Sequence, residues 1–487
     1  MAITRITRRL MLAAGAAALC IAGSAAAQSV ALRPCQFPGA DVDFRCGTYS
    51  VRENRADPRS RLIPLTVIVA PARSAHPLAD PVFLVSPGGP GTTNSEGLPY
   101  RAASSWMRDQ RDIVIVDLRG TSGPARLDCD LSDRRGSSLQ YLASLFPKDK
   151  IDRCRDELAH KVDLRQYTTT NIVEDFDDVR RALGYHKVNL WAASWGTRVV
   201  FLWLRMHPET IRSAILEGSA PPALLNPLPH ARTAQQALDG LFAECQRQRR
   251  CHAAFPTIRD EFDAVLARLN AAPATVHIPG DKPGEMITTT FSRAQFAEAL
   301  RVMTYNVPRS QRVPLLVHRA FQGDLDDFAR AAVASNRGIR SSLRLGFLLA
   351  ITCTEDVPRI DPSTIPRETA HTYLGDTRVR EQMAACDGWP RGALPRDYSD
   401  PIRSDVPVFL LSGTVDPVAG AQFSADAAKY LPNSIHVVAP GGHVPFGPCV
   451  ESMERAFQIA ASPRAVDRSC VAEMRLPEFD TGPARSR

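Results

Sequence analysis

The sequence lacks the features of several large protein classes. Beyond residue 27 it has no run of 18 uninterrupted apolar residues, so it predicts no transmembrane anchor. It has no lysine-rich run and no basic patch interleaved with aromatic residues, so nucleic acid is not an expected partner. CxxC pairs and the HExxH motif are also missing, which argues against a metal site.

The composition that remains is that of an ordinary globular protein. The 487 residues are 44% hydrophobic and 23% charged, a balance that excludes intrinsic disorder as the main description. At about 100–200 residues per domain, the chain is long enough for one large enzyme-like domain or for two domains. The formal net charge of +7 is small for a chain of this length.

The first 27 residues have the pattern of an export signal. Three arginines among the first nine residues precede a short apolar run over residues 10–22, and small residues at 25–27 offer a cleavage site before Gln28. Without this segment the net charge is +4 over 460 residues. The alternative is a buried N-terminal helix. We expect an exported protein, either periplasmic or secreted.

The cysteines agree with export. Cys20 lies in the apolar run of the signal, which leaves ten of the 11 cysteines in the mature chain. Near-neighbour bridging is the simplest proposal, although spacing alone does not prove connectivity and free buried thiols are the alternative. The proposed pairs are Cys35/Cys46, Cys129/Cys154, Cys245/Cys251, Cys353/Cys386 and Cys449/Cys470.

Short apolar runs alternate with amphipathic helical patterns along most of the chain. This alternation predicts an α/β fold with a mostly parallel sheet covered by helices on both faces. The predicted strands are residues 62–70, 81–85, 112–116, 188–192, 213–216, 406–411 and 434–438. The predicted helices between them are residues 171–183, 197–206 and 420–430. Residues 28–60 are predicted to be irregular.

The alternation stops between residues 223 and 400, which are mostly helical and contain many prolines. Amphipathic patterns cover residues 234–245, 262–269, 294–304, 313–321 and 325–333. We interpret this stretch as a helical cap inserted between two strands. The expected organisation is a signal peptide (1–27), an N-terminal core (28–222), the cap (223–400) and a C-terminal core (401–487).

Ser194 lies in the most informative local motif, residues 192–196 (AASWG). The motif follows a predicted buried strand and precedes a predicted helix, which is the context of a nucleophile elbow. The usual pattern is G-x-S-x-G, and here Ala192 replaces the first glycine. The alternative is a serine N-cap on an ordinary helix.

A serine nucleophile needs a base, and in this fold the acid and the histidine follow the serine in the chain. Asp416 and His443 each come just after a predicted strand, so both are expected at the carboxyl edge of the sheet. His443 would accept the proton of Ser194, and Asp416 would orient its imidazole. His436 lies within a strand and Asp405 precedes one, so both are weaker candidates.

The oxyanion of the tetrahedral intermediate needs preorganised N–H donors. One expected donor is the backbone N–H of Trp195. The other is expected in residues 87–91 (PGGPG), where we favour Gly88 and then Gly89, because glycine lets the backbone approach closely. A phosphate-binding loop is the competing interpretation, but the GKS or GKT ending is missing.

Together these motifs resemble the α/β-hydrolase serine peptidases of the prolyl iminopeptidase and tripeptidyl aminopeptidase type. The matching segments are residues 88–91 (GGPG), 117–123 (DLRGTSG), 167–169 (YTT), the Ser194 elbow, 413–417 (GTVDP) and 442–443 (GH). The C-terminal part resembles the TAP-like domain. Pro87 stands where the iminopeptidase motif usually has histidine, so the resemblance does not imply strict proline specificity.

The resemblance implies cleavage from a free peptide N-terminus, with peptide substrates and no cofactor or metal. It also implies acidic residues near the cap that bind the substrate ammonium group. The candidates are Glu355, Asp356 and Glu217. The acids of residues 174–178 are expected to form a solvated helix face. Two alternatives remain: a carboxylesterase that uses the same triad on small esters, and a secreted binding protein that retains the fold.

Overall fold

The computed structural model describes residues 29–131 and 137–482, so the predicted signal segment lies outside the described residues. The strands are β1 (Arg33–Phe37), β2 (Ala40–Arg52), β3 (Leu62–Ala70), β4 (Val82–Ser86), β5 (Ile113–Val116), β6 (Val188–Ala193), β7 (Ile211–Glu217), β8 (Ala274–Pro279), β9 (Met286–Phe291), β10 (Val408–Gly413) and β11 (Ser434–Ala439).

The helices include every predicted one, with ends shifted by a few residues. They are α1 (Asn94–Ser104), α2 (Lys148–Ala159), α3 (Thr169–Ala182), α4 (Gly196–Met206), α5 (His230–Arg247), α6 (Arg249–Ala254), α7 (Ile258–Ala271), α8 (Arg293–Met303), α9 (Val307–Ser310), α10 (Val313–Phe321), α11 (Asp326–Arg340), α12 (Leu345–Glu355), α13 (Ile365–Thr369), α14 (Thr377–Ala385), α15 (Ala421–Ala428) and α16 (Pro448–Ala460).

Nine strands form one sheet in the order β1-β2-β3-β5-β4-β6-β7-β10-β11. The first three pairings are antiparallel, and the remaining five, from β5/β4 to β10/β11, are parallel. Strands β4, β5, β6 and β10 are buried along their whole length, as expected where helices cover both faces. The predicted α/β-hydrolase fold, with a mostly parallel sheet, is confirmed.

The prediction that residues 28–60 are irregular is wrong. They contain β1 and β2, which extend the sheet as antiparallel edge strands. Residues 40–46 (ADVDFRC) alternate apolar and charged side chains with the period of two of a half-buried strand, so the local signal was present and was overlooked. A second small sheet, the hairpin β8-β9, was also missed.

Most residues between β7 and β10 form helices that cover the carboxyl edge of the sheet. Hydrophobic side chains from α5, α7, α8, α10 and α11 form a cluster of their own, which also includes Val415. Helix α12 and most of the buried hydrophobic residues in 357–402 instead pack into the main cluster with the sheet, whereas Tyr373 and Leu374 belong to the helical cluster. The boundaries 223–400 stay a prediction, but packing ties the last quarter of that segment to the α/β core.

All five predicted disulfides are present. The bonded pairs are Cys35–Cys46, Cys129–Cys154, Cys245–Cys251, Cys353–Cys386 and Cys449–Cys470. Cys353 is on α12 and Cys386 directly follows α14, so this bond joins two helices that both pack with the sheet. Across residues 29–131 and 137–482, no helix is long and apolar enough to cross a membrane.

The sequence predicted that the acids of α3 form a solvated face, but two of them are buried. Asp175 is buried and accepts two hydrogen bonds of 2.7 Å from Arg119, from Nε and from Nη2. Asp177 is also buried and pairs with Arg180. Arg119 belongs to the 117–123 motif, so this motif anchors α3 to the end of β5, a structural role.

Candidate active site

Ser194 sits at the turn between β6 and α4, with a φ of 55°. A positive φ is uncommon for a residue other than glycine and is the conformation of a nucleophile elbow. The Ser194 N–H donates to the Glu217 carbonyl at 2.7 Å, which holds the turn against β7. Gly196 is required for close packing, because a Cβ there would lie 2.6 Å from the Cβ of Ser86.

His443 and Asp416 are joined by a hydrogen bond of 2.8 Å from His443 Nδ1 to Asp416 Oδ2. The second oxygen of Asp416 accepts the N–H groups of Val418 and Ala419, which fixes the carboxylate. The His443 loop packs directly on the end of β10: a Cβ on Gly413 would lie 1.7 Å from the Gly442 carbonyl oxygen.

Ser194 and His443 line the same cavity, which has a volume of about 680 Å³. His443 Nε2 is buried and has no hydrogen-bond partner among the described residues. With Nδ1 engaged by Asp416, this nitrogen is the one left to accept the Ser194 proton. Serine–histidine contacts in unliganded sites often tighten only when substrate binds, so the arrangement suits a Ser-His-Asp triad.

The predicted oxyanion loop also lines this cavity. Gly88 lies against the nucleophile, because a Cβ there would be 3.0 Å from the Cβ of Ser194. The Gly88 N–H donates to Ser86 Oγ at 3.3 Å. Neither Gly89 nor Trp195 has a backbone N–H acceptor among the described residues. The N–H groups of Gly89 and Trp195 are therefore free to bind an oxyanion, whereas that of Gly88 is engaged by Ser86. The assignment of oxyanion donors among these three residues stays a prediction.

Glu355 and Asp356, predicted to bind an ammonium group, do not line the cavity. Both carboxylates are fully buried and pair with Arg198 of α4. Glu355 also accepts hydrogen bonds from Thr169 and from Tyr398 Oη. Burial raises the pKa of Asp356 to about 6. Their positions give them a structural role beneath the elbow, and the sequence prediction for them lacks support.

Glu217 is also directed away from the cavity. It is buried, accepts a 2.6 Å hydrogen bond from Trp191 Nε1, and lies 3.7 Å from Arg101. The carboxyl of Glu454 contacts it from α16. Only the backbone of Glu217 serves the site, through its bond to the Ser194 N–H. His436, the weaker candidate for the catalytic histidine, is hydrogen-bonded to Ser412 Oγ within the sheet and does not line the cavity.

The charged side chains that do line the cavity come from the cap, and sequence reasoning missed them. They are Glu298 and Arg301 of α8, Arg340 of α11, and Arg378 and Glu381 of α14. Tyr305, also missed, accepts the His443 N–H through its carbonyl at 3.1 Å. These helices have ordinary amphipathic patterns, so no local signal separated a cavity-facing charge from a solvated one.

Comparison with known proteins gives the same fold. The family model described as the alpha/beta hydrolase fold matches residues 81–270, and the model of TAP-like proteins matches residues 371–470. The first match covers the elbow and the glycine-rich loop. The second covers Asp416 and His443.

Three curated relatives are similar at low identity. The serine protease Hip1 of Mycobacterium tuberculosis (strain ATCC 25618 / H37Rv) is 26% identical over 247 residues, which cover 46% of each chain. The putative hydrolase YuaR of Escherichia coli (strain K12) is 26% identical over 80% of this chain and 77% of its own. The tripeptidyl aminopeptidase of Streptomyces lividans is 24% identical over 37% of this chain and 36% of its own.

The chain spans less than half the length of Hip1, the first of these relatives. Serine chemistry is supported by the elbow serine, the histidine–carboxylate pair and the relatives together. The chain is a serine hydrolase with the α/β-hydrolase fold and a TAP-like C-terminal part, and it is similar to serine peptidases.

Proposed function

We propose that this protein is an exported aminopeptidase that releases residues or short peptides from free peptide N-termini. The observation that carries the proposal is that two cap carboxylates, Glu298 and Glu381, line the same cavity as Ser194 and His443. A carboxylate in a shielded cavity pairs well with a substrate ammonium group and would restrict cleavage to chain ends. A neutral ester has no cationic group with which such a carboxylate could pair.

In the proposed mechanism Ser194 Oγ attacks the substrate carbonyl while His443 Nε2 takes its proton. Asp416 holds the imidazole and stabilises its charged form. The N–H groups of Gly89 and Trp195 stabilise the oxyanion. His443 then protonates the leaving amine, an acyl-enzyme remains on Ser194, and water activated by His443 releases the product.

The two carboxylates differ in how much capacity they have left for a ligand. Glu298 is bound by Nε and Nη2 of Arg301, at 3.0 and 2.6 Å. Glu381 accepts one neutral hydrogen bond from Ser144 Oγ at 2.8 Å, and its other oxygen has no donor among the described residues. Glu381 is therefore the proposed primary partner of the ammonium group, with the Glu298 charge beside it.

A carboxylesterase with the same triad is the second candidate function. It is favoured by the apolar part of the cavity lining, which includes Leu142, Leu224, Leu343 and Leu348. An esterase would hydrolyse small p-nitrophenyl esters efficiently and would show no dependence on a free amine.

The experiment that tests the proposal is mass spectrometry of a short-peptide library digested by the purified mature protein. Each peptide is offered with a free and with an acetylated N-terminus. Cleavage of only the free forms supports the aminopeptidase, and fragment length separates single-residue from tripeptide release. If neither form is cut while p-nitrophenyl butyrate is hydrolysed in a Ser194-dependent manner, the aminopeptidase proposal is wrong and the carboxylesterase is the supported function.

Variants of the two glutamates locate the ammonium site. Glu381→Gln is expected to raise KM for free-amine peptides about tenfold or more, with a smaller effect of Glu298→Gln, because a charge-assisted hydrogen bond is lost. Hydrolysis of p-nitrophenyl butyrate should stay unchanged in both. The exposed Glu209→Gln is the matched control. Equal KM values for Glu381→Gln and the control would show that Glu381 does not bind the ammonium group.

Export is tested separately by N-terminal sequencing of the protein recovered outside the bacterial cytoplasm. The proposed signal predicts a mature chain that begins at Gln28. An unprocessed chain retained in the cytoplasm would contradict export without affecting the hydrolase assignment.

A further inference from the structure

The cavity beside Ser194 contains more positive than negative side chains. Among the described residues that line it, three carry guanidinium groups and two carry carboxylates. They are Arg301, Arg340 and Arg378 against Glu298 and Glu381. His230, which also lines the cavity, has a pKa held well below its ordinary value by burial, so it adds no charge near neutral pH.

Two of the three guanidinium groups donate hydrogen bonds within the protein. Arg301 forms a two-point ion pair with Glu298, at 2.6 and 3.0 Å. Arg340 donates to the backbone carbonyls of Gln140, at 2.6 Å, and Ala143, at 2.5 Å. These contacts hold both side chains in place, and neither needs a ligand to satisfy its donors.

Arg378 of α14 is different. Its Nη1 lies 3.6 Å from Glu298 Oε1, an ion pair longer than a hydrogen bond. Its guanidinium carbon lies 4.7 Å from the ring centre of Phe146. Its Nε is buried and has no hydrogen-bond partner among the described residues. Burial lowers the pKa of Arg378; the charge of Glu298 opposes this effect, and that of Arg301 adds to it. A buried cation without a full partner is costly.

Gln382 lies one turn further along α14 and also lines the cavity. Its Oε1 is buried and has no donor among the described residues. Arg378 and Gln382 therefore present an unused donor and an unused acceptor on one helix face, since residues four apart are neighbours. Buried polar atoms are almost always paired. The Arg378 Nε donor and the Gln382 Oε1 acceptor are therefore complementary to a ligand with an anionic oxygen and an N–H group.

We propose that Arg378 forms a subsite for a carboxylate of the substrate, with Gln382 beside it accepting a substrate N–H. The inference rests on the proposed function in that it takes the substrate to be a peptide. Glu381 lies three residues after Arg378, so a peptide whose ammonium group binds Glu381 places its first side chain near the guanidinium. An N-terminal Asp or Glu supplies the carboxylate in that arrangement, and a C-terminal carboxylate is the other source of the same group.

The test measures binding separately from turnover. Isothermal titration calorimetry on Ser194→Ala protein compares three tripeptides with free amines: Glu-Ala-Ala-amide, Gln-Ala-Ala-amide and Gln-Ala-Ala with a free carboxylate. The subsite predicts that a peptide with a carboxylate binds about tenfold or more tightly than Gln-Ala-Ala-amide. The first peptide tests the side-chain source, and the third tests the C-terminal source.

Three variants in the same background assign the effect to the residue. Arg378→Gln is expected to abolish the preference for the carboxylate and to leave binding of Gln-Ala-Ala-amide within about twofold. Arg378→Lys keeps the charge and is expected to retain part of the preference. Arg380→Gln is the matched control, because this arginine is on the same helix but is exposed and pairs with Asp376. Thermal unfolding checks that each variant is folded.

Equal affinities of the three peptides for the Ser194→Ala protein would overturn the subsite without the use of any Arg378 variant. A preference that survives Arg378→Gln would overturn the assignment to Arg378. Failure of the proposed function would give a different result. The wild-type protein would not cleave these peptides, or it would cleave them equally well with free and with acetylated amines. A carboxylate preference that depends on Arg378 would still stand in that case, as a property of the cavity.

Discussion

A φ of 55° at Ser194 costs free energy, of the order of 1–3 kcal/mol for a residue other than glycine. The surrounding contacts maintain it: the Ser194 N–H binds the Glu217 carbonyl, and Gly196 packs on Ser86 with no room for a Cβ. The turn places Ser194 at the edge of the cavity, next to the His443 loop. Residue-scale geometry of this kind is typical of a nucleophile held ready for attack.

The Asp416→Asn variant tests the histidine–carboxylate pair. An amide at this position no longer stabilises the imidazolium and favours the wrong tautomer of His443, so we expect kcat to fall by about 10⁴-fold with little change in KM. Steady-state kinetics on the best substrate of the wild-type protein would measure the loss. Asp405→Asn, at the opposite end of β10, is the control, and a loss in Asp416→Asn no larger than in this control would contradict the triad.

At the scale of elements, the sheet and its helices meet through buried charges as well as apolar side chains. Helix α16 places Glu454 against Glu217, the last residue of β7. Burial raises the pKa of Glu454 well above its ordinary value of 4.5, and the neighbouring Glu217 raises it further. A protonated Glu454 can donate to Glu217, whereas two carboxylates at this contact would repel each other.

This contact predicts a pH dependence of stability. The unfolded chain releases the Glu454 proton near pH 4.5, whereas the folded chain keeps it, so the folded state binds more protons above that pH. The contribution of Glu454 to the free energy of unfolding is therefore complete below pH 4.5 and declines as pH rises through the folded pKa. Urea unfolding between about pH 5 and pH 8 should show the wild-type protein losing stability relative to Glu454→Gln.

The matched control for this prediction is Glu451→Gln, an exposed position on the same helix. Its free energy of unfolding should run parallel to that of the wild-type protein over the same pH range. A difference between wild type and Glu454→Gln that does not change with pH would show that the proton on Glu454 does not contribute.

At the scale of the whole molecule, the active-site cavity lies between two bodies of packing. The elbow and the triad loops belong to the sheet, whereas the charged lining comes from α8 and α11 of the separate helical cluster and from α14, which packs with the sheet. Helix α14 carries Arg378, Glu381 and Gln382, and it ends at Cys386, which is bonded to Cys353 of the core-packed helix α12. The disulfide therefore anchors the wall of the cavity that is proposed to recognise the substrate.

Replacing Cys353 and Cys386 together by serine is expected to lower the free energy of unfolding by about 2–4 kcal/mol, because the bond closes a long loop in the unfolded chain. The sequence separation is 33 residues. The same change at Cys245 and Cys251, separated by six residues, should cost less. Chemical denaturation of both double variants and of the wild-type protein would measure the two losses of free energy of unfolding. A smaller loss for the Cys353/Cys386 pair would mean that strain or residual structure outweighs loop closure.

The candidate catalytic residues at the carboxyl edge of the sheet could be predicted because the sequence patterns that mark them are local. Ser194, Asp416 and His443 each follow a short apolar run that forms a strand, and such runs are recognised by length and composition alone. Strands β6 and β10 are buried, whereas the edge strand β11 is partly exposed. Parallel strands bring their carboxyl ends to one edge, so the three residues could be grouped without knowledge of distances. Near-neighbour cysteines were paired correctly for a similar reason, since short separations leave few alternatives.

The lining of the cavity was decided by the tertiary structure alone. Glu355 ends α12, Asp356 follows it, and both have the right charge, yet packing of α12 on the sheet directs them to Arg198 and away from the cavity. Glu298, Arg378 and Glu381 have no distinguishing local pattern, and they meet only because tertiary packing brings α8 and α14 to the same cavity. A charge on an amphipathic helix has the same local sequence whether it faces water or a cavity. The difference arises from contacts between residues far apart in the chain.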